Sequence, residues 1–212
     1  MKKRYATGLA GLGCLGFGLI GIVILAIIGF AIGIPFYNNG IDLQENATAQ
    51  WGNVESSYQR RADLIPNIVN TAKGYAQFEQ ETLTKVIEAR SKATAVTIDP
   101  SNISPQQLAQ FQQVQSGLSS ALARLLAVFE RYPDLKANEN FKELINELER
   151  TENRINVERN RFNESVRPFN KHIKKFPGSF LNNFVGKFEE MAYFEAEDGA
   201  EKAPEVEFDF SN

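Results

Sequence analysis

Two hydrophobic patterns divide this chain. From Tyr5 to Phe36 the run YATGLAGLGCLGFGLIGIVILAIIGFAIGIPF is apolar on every helical face, and no charge falls between Arg4 and Asp42. Beyond it, apolar residues recur in alternating steps of three and four, the spacing of a helix with one buried seam. Counting from Ala47 gives Trp51, Val54, Tyr58, Arg61, Ile65, Ile68, Ala72, Tyr75, Glu79, Thr82, Val86 and Ala89. A second seam holds Leu108, Phe111, Gln115, Leu118, Leu122, Leu125, Phe129 and Tyr132; a third runs from Phe141 through Ile145, Leu148, Glu152, Ile155, Arg159, Phe162, Val166, Phe169 and Ile173 to Phe176. Ser104, Pro105 and Gln107 have the spacing of a capping box with proline in the first turn, and Pro133 and Pro177-Gly178 read as stops. No strand-like alternation competes. The expected fold is therefore all-α. Residues 1–4 form a basic cytoplasmic end, 5–36 a transmembrane helix, 37–188 an antiparallel bundle of three long helices plus a short C-terminal helix, and 189–212 an acidic, mobile tail.

The first seam crosses a proline, in RRADLIPN at 60–67. Because the apolar phase is the same on both sides of Pro66, a kink in one helix is expected. The alternative is a break, with Asp63 capping a new helix and Pro66 in its first turn. Four charges fall on seam positions: Arg61, Glu79, Glu152 and Arg159. An unpaired charge there costs several kcal/mol, so Arg61 needs a carboxylate from another segment, Glu152 first and Glu149 second. The four read either as a buried polar site for an anionic ligand or as ion pairs that fix helix register. Arg60 and Asp63, at i and i+3, read as a surface pair. His172 reads as an exposed helix residue.

Composition narrows the chemistry. With one cysteine, Cys14, and one histidine, His172, the 212-residue chain assembles no Cys/His metal cluster, disulfide or Cys-His nucleophile pair. No catalytic residue, metal or cofactor is expected. Setting Lys2, Lys3 and Arg4 aside leaves 20 basic residues against 26 acidic ones, a balance that repels phosphate backbones and excludes nucleic acid as a partner.

At roughly 1.5 Å per residue the apolar run makes a helix of about 48 Å, longer than the ~30 Å hydrocarbon core, so it tilts or continues beyond the bilayer. It is too long for a cleaved signal peptide, and the setting of Cys14 argues against lipidation. Gly29 and Gly33 form one GxxxG, a weak sign of helix association. Lys2, Lys3 and Arg4 on one side, against Asp42 and Glu45 on the other, predict a cytoplasmic N-terminus and an extracytoplasmic domain in a bacterial inner membrane. Near the C-terminus, Phe180, Leu181, Phe184, Val185 and Phe188 share one face of a short helix, expected to cover an end of the bundle. From Glu189 to Phe210 nine acidic residues face Lys202 alone, the composition of a mobile segment.

These residues resemble the LemA family of bacterial membrane proteins. The likeness rests on YNN at 37–39, Trp51, RRADLIPN, KGYA at 73–76, LTKVIEAR at 83–90, YPDLKANENF at 132–141, ENRI at 152–155, RFNESVRPFN at 161–170, FPGSF at 176–180 and the ending APEVEFDF. The resemblance implies one N-terminal membrane helix with a helical bundle. A family member from magnetosomes is implicated in making internal membranes, which implies scaffolding. The family often carries His at the place of Phe78 and Tyr at Phe162 and Phe169; their loss here removes groups for acid/base chemistry.

The expected function is a membrane-anchored helical scaffold that homo-oligomerises and organises or remodels the bilayer, with Trp51, Val54 and Tyr58 as the exposed contact between copies. The alternative is a tethered receptor or adaptor binding a peptide or anionic ligand around Arg61 and Arg159, with an unknown protein as the possible partner. Enzymatic activity is not expected, since Glu79 and Glu152 lack a neighbouring nucleophile, metal motif or phosphate loop.

Overall fold

The computed structural model describes residues 6–74 and 79–195, with side chains from Leu19 onward. Lys2, Lys3 and Arg4, Cys14 as a side chain, seam residue Tyr75, Phe78, and the acidic stretch 196–212 lie outside the described residues. The elements are α1 (Ala6–Lys73), α2 (Gln80–Ala95), α3 (Pro105–Phe129), the short α4 (Pro133–Ala137), α5 (Glu139–Lys174) and α6 (Gly178–Leu181), followed by a π-helical turn, Asn182–Gly186. Among the described residues there is no strand. Two units partition the chain: Met1–Ala49 with Ser165–Glu190, and Gln50–Glu164 with Met191–Asn212.

In the second unit four helices alternate in direction. Arg90 of α2 reaches back to Ala62 of α1, Gln115 of α3 reaches Ala93 of α2, and Arg60 and Arg61 of α1 meet Glu147 and Glu152 of α5. Ile65, Ile68, Val86, Leu118, Leu125, Phe141 and Leu148 form the core, so all three predicted seams face inward. The capping box is present as expected: Gln107 N donates to Ser104 Oγ, and Ser104 N to Gln107 Oε1.

One boundary differs. The first seam is carried by two helices, since α1 ends at Lys73 and α2 starts at Gln80. The break falls at Gly74, whose N–H closes a turn onto Thr71 O at 3.2 Å. It does not fall at Asp63, which is exposed and accepts a hydrogen bond from Gln59 at 2.8 Å. The seam keeps its phase because both helices face the same core.

Pro66 lies inside α1 with its ring exposed. Lacking an N–H, it leaves the carbonyl of Ala62 without its helical donor. Arg90 Nε–H supplies that donor at 2.7 Å. A helix interrupted in hydrogen bonding is thus continued by a side chain from its neighbour.

The first unit is built by the front of α1 against the end of α5. His172 is not the exposed residue expected: its ring stacks on Phe36 with centroids 4.4 Å apart, and Nε2–H reaches Phe36 O at 2.9 Å. Phe188 stacks on Tyr37 and meets Phe169 edge-on. Gly40 admits that ring, since a Cβ there would lie 2.4 Å from Phe188 Cε2. Gly33 is covered by Val185 of its own chain, so the GxxxG reading fails at that glycine. Helix α1 continues past Pro35 and Phe36 as one element, and Leu19–Ile34 lies within a stretch long and apolar enough to cross a membrane.

The C-terminal expectations need correction twice. Phe188 is half-buried and Val185 touches Gly33 while staying 41% exposed, but Phe180 and Phe184 face solvent, as does Phe176, which follows the end of α5 at Lys174 and so leaves its seam. The tail does not become loose at Glu189: Met191 and Phe194 are buried, Ala192 N donates to Ile103 O at 3.0 Å, and Asn163 holds both the N–H and the carbonyl of Phe194.

Arg90→Ala in the detergent-solubilised full chain should lower stability by about 1–2 kcal/mol, because it orphans a buried carbonyl. In a Pro66→Ala background, where residue 66 regains its N–H, the same change should lose at least half of that effect. Equal costs in both backgrounds, measured by chemical unfolding, would show that the Arg90 bond does not replace the missing one.

Candidate functional site: a polar groove between α3 and α5

Arg61 is 1% exposed and occupies the floor of a groove in the second unit. Its Nη1 donates to Glu152 Oε1 and to Ser119 Oγ, each at 2.8 Å, and Nη2 donates to Gln115 Oε1 at 2.5 Å. Gln115 Nε2 in turn donates to Ala93 O at 3.2 Å. The guanidinium also lies 5.0 Å from the Tyr58 ring centroid. One polar chain therefore joins α5, α1, α3 and α2. Arg61 Nε is buried without an acceptor.

The groove has a volume of about 920 Å³. Its α3 wall carries Gln112, Gln113, Ser116 and Ser119; its α5 wall carries Glu149, Glu152, Asn153, Asn156 and Arg159. Arg159 Nη2 donates to Glu195 O at 2.9 Å, and its guanidinium sits 4.9 Å from the Phe194 ring centroid. The lining is rich in amides and hydroxyls, which offer both donors and acceptors. Such a surface suits a ligand that hydrogen-bonds along its length.

Of the predicted seam charges, Arg61, Glu152 and Arg159 line this groove and Glu79 does not. Glu79 accepts from Arg131 Nη2 at 3.0 Å and from Thr82 Oγ1. The four-charge cluster is corrected to three, because Glu79 stands at the start of α2, where its partners are Arg131 and Thr82. Asp63 and Pro66 are exposed and outside the groove. Arg60 pairs with Glu147 at 2.5 Å, so the expected Arg60–Asp63 pair is not formed. Hydrogen bonds from Arg60 and then Arg150 hold the Glu147 carboxyl below its ordinary pKa.

Trp51, Val54 and Tyr58 are buried at 2%, 0% and 7% exposure, so they offer no surface to a second copy. Trp51 is enclosed by Phe111 and Phe162 at 5.4 Å and by Phe194, stacked at 5.8 Å. The strap 191–195 closes this cage, and nothing in the helical periodicity announces it. Gln115 and Ser119 were also missed as site residues, although Gln115 stands on its seam as conspicuously as Arg61. Glu158, 3% exposed, accepts from Gln50 at 2.8 Å and pairs with Arg161 at 3.1 Å; no seam position marks it.

Residues 50–208, which include both walls of the groove, match the model of the LemA family. The chain belongs to the LemA family. Among relatives, "Magnetosome protein MamQ" of Magnetospirillum gryphiswaldense is 26% identical over 194 residues, spanning 83% of this chain and 71% of that protein. "Protein LemA" of Metamycoplasma hominis is 29% identical over 123 residues, 58% of this chain and 52% of that protein. This LemA-family chain thus carries an all-helical fold and an apolar N-terminal helix suited to membrane association.

Arg61→Ala should destabilise the protein by about 2–4 kcal/mol, because it leaves Gln115 and the partly exposed Glu152 unpaired. Arg60→Ala should cost several-fold less, its partner being reachable by water. Glu147 contributes stability above the ordinary carboxylate pKa, lost as pH falls through its lowered folded value. Glu147→Gln should accordingly flatten the acid side of the stability curve. An unchanged acid slope in that variant, followed by thermal unfolding from pH 6 to 3, would remove the assignment.

Proposed function

We propose that this LemA-family protein is a membrane-tethered adaptor: α1 anchors it, and the groove between α3 and α5 receives a polypeptide segment that presents backbone amides and a cationic side chain. The groove carries this reading, with Arg61 fixed at its floor and carboxylates of Glu149 and Glu152 on its wall. A peptide satisfies alternating donors and acceptors where a simple anion would meet these carboxylates. The reading includes no enzymatic step. The asymmetry of charge around the apolar run favours an N-terminus inside and a helical domain on the extracytoplasmic side of the inner membrane.

Homo-oligomeric scaffolding that organises or remodels the bilayer is the second reading. It is favoured by relatives named as magnetosome proteins. Its contact between copies has to use a surface other than Trp51, Val54 and Tyr58.

Photocrosslinking residues placed at Gln113 and at Asn156, on opposite walls, should give the same adduct in native membranes, and Ser116→Trp should abolish both. An adduct of twice this chain's mass would favour the scaffold; different adducts from the two walls would sink the shared groove. For orientation, Ser211→Cys in a Cys14→Ser background should react with a membrane-impermeant maleimide in intact spheroplasts. Labelling only after lysis would reverse the topology.

A further inference from the structure

The segment from Phe176 to Gly186 turns its largest apolar side chains outward. Phe176, Phe180 and Phe184 are 80%, 60% and 71% exposed. Water-soluble surfaces seldom leave such a cluster without an apolar partner.

The segment is held in this pose by contacts within the first unit. Asn182 clamps Phe188, donating from Nδ2 to its carbonyl and accepting its N–H, both at 2.9 Å. Phe188 stacks on Tyr37, Lys174 pairs with Glu190, and Val185 lies over Gly33. The phenylalanines therefore project from a fixed base.

That base adjoins the apolar face of α1. Val185 shares an apolar groove of about 490 Å³ with Gly29, Phe30, Gly33 and Ile34. Along α1 the exposed apolar residues Ile24, Leu25, Ile27, Ile28, Phe30 and Ile34 lead up to this contact. Exposed Lys174, Lys175 and Lys187 flank the phenylalanines, and Tyr37 stands a turn beyond Gly33. Aromatic side chains beside long cationic ones are the composition of a membrane–water boundary. With Gly33 at that boundary, about 20 helical residues leading up to it cross the ~30 Å hydrocarbon core. The excess length of the apolar run then occupies the opposite interface.

We propose that Phe176, Phe180 and Phe184 insert into the headgroup–acyl boundary of the bilayer that α1 crosses, forming a second, interfacial anchor. The driving force is apolar burial, so zwitterionic lipid suffices; the lysines add attraction to phosphate groups. Two attachments fix the tilt and rotation of α1 where one leaves both free.

This inference rests on α1 being membrane-embedded, and the two are separable by experiment. In a Cys14→Ser background, a fluorophore sensitive to polarity is attached at Phe180→Cys or at Ile27→Cys, and the full chain is placed in phosphatidylcholine nanodiscs. Lipid bearing a nitroxide near the headgroup end of its acyl chain should quench the residue 180 label at least two-fold, with aqueous iodide quenching it weakly. Quenching at 27 but not at 180, with iodide reaching 180, would overturn the interfacial anchor and leave the membrane helix standing. A blue-shifted residue 180 label that ignores the nitroxide lipid would also overturn it, assigning the patch to a protein contact. No lipid quenching at either position would remove both.

Discussion

The second unit depends on the Arg61 guanidinium, a group through which its helices α1, α2, α3 and α5 are connected by polar bonds. A buried cation is expensive to desolvate, and here the expense is met by ligands from separate elements: Glu152 of α5, and Gln115 and Ser119 of α3. Gln115 passes the connection to α2 through the Ala93 carbonyl. Apolar seams tolerate a slide of one helix along another, because leucine packs almost equally well against several neighbours. A guanidinium with fixed donors does not. Arg61 therefore bonds α3 and α5 to α1 at one axial position, a constraint hydrophobic packing supplies poorly.

The same unit closes its remaining apolar surface with irregular chain. Trp51 has three aromatic neighbours, and one of them, Phe194, comes from a strap with no helical geometry. Asn163 fixes that strap by binding both backbone groups of Phe194, and Arg159 covers the outer ring face. Asn182 binds both backbone groups of Phe188 in the first unit in the same manner. In each case an asparagine, with one donor group and one acceptor, substitutes for the missing partner strand.

The fold was largely legible because its helices are amphipathic: Ile65, Leu118 and Leu148 are buried where a 3.5-residue count places them. The partner of Arg61 was legible for the same reason, since Glu152 stands on a seam. What a seam does not contain is the identity of whatever covers it. Trp51, Val54 and Tyr58 read as an open patch because the strap 191–195 is short, acidic at one end and without period. Helix α1 read as continuing past Lys73 because two helices that face one core preserve a common phase. His172 read as exposed because its partners, Phe36 and Asn39, lie more than 130 positions away in sequence. The strap and His172 share a cause: long-range contacts of single residues leave no local pattern.

Proline 66 shows how such a contact decides between readings that local chemistry leaves open. A proline in a helix removes one donor and crowds one carbonyl, and in isolation a kink or a new helix start are both reasonable outcomes. Arg90 lies on another helix, yet its Nε–H fills the vacancy at Ala62. Its position requires α2 to run back alongside α1. Each element thus makes sense of the other: α2, a separate helix lying back along α1, brings the side chain that lets α1 pass through Pro66. With α1 continuous there, Arg61 keeps the helical placement from which it reaches α3 and α5, and the groove between those helices retains its floor.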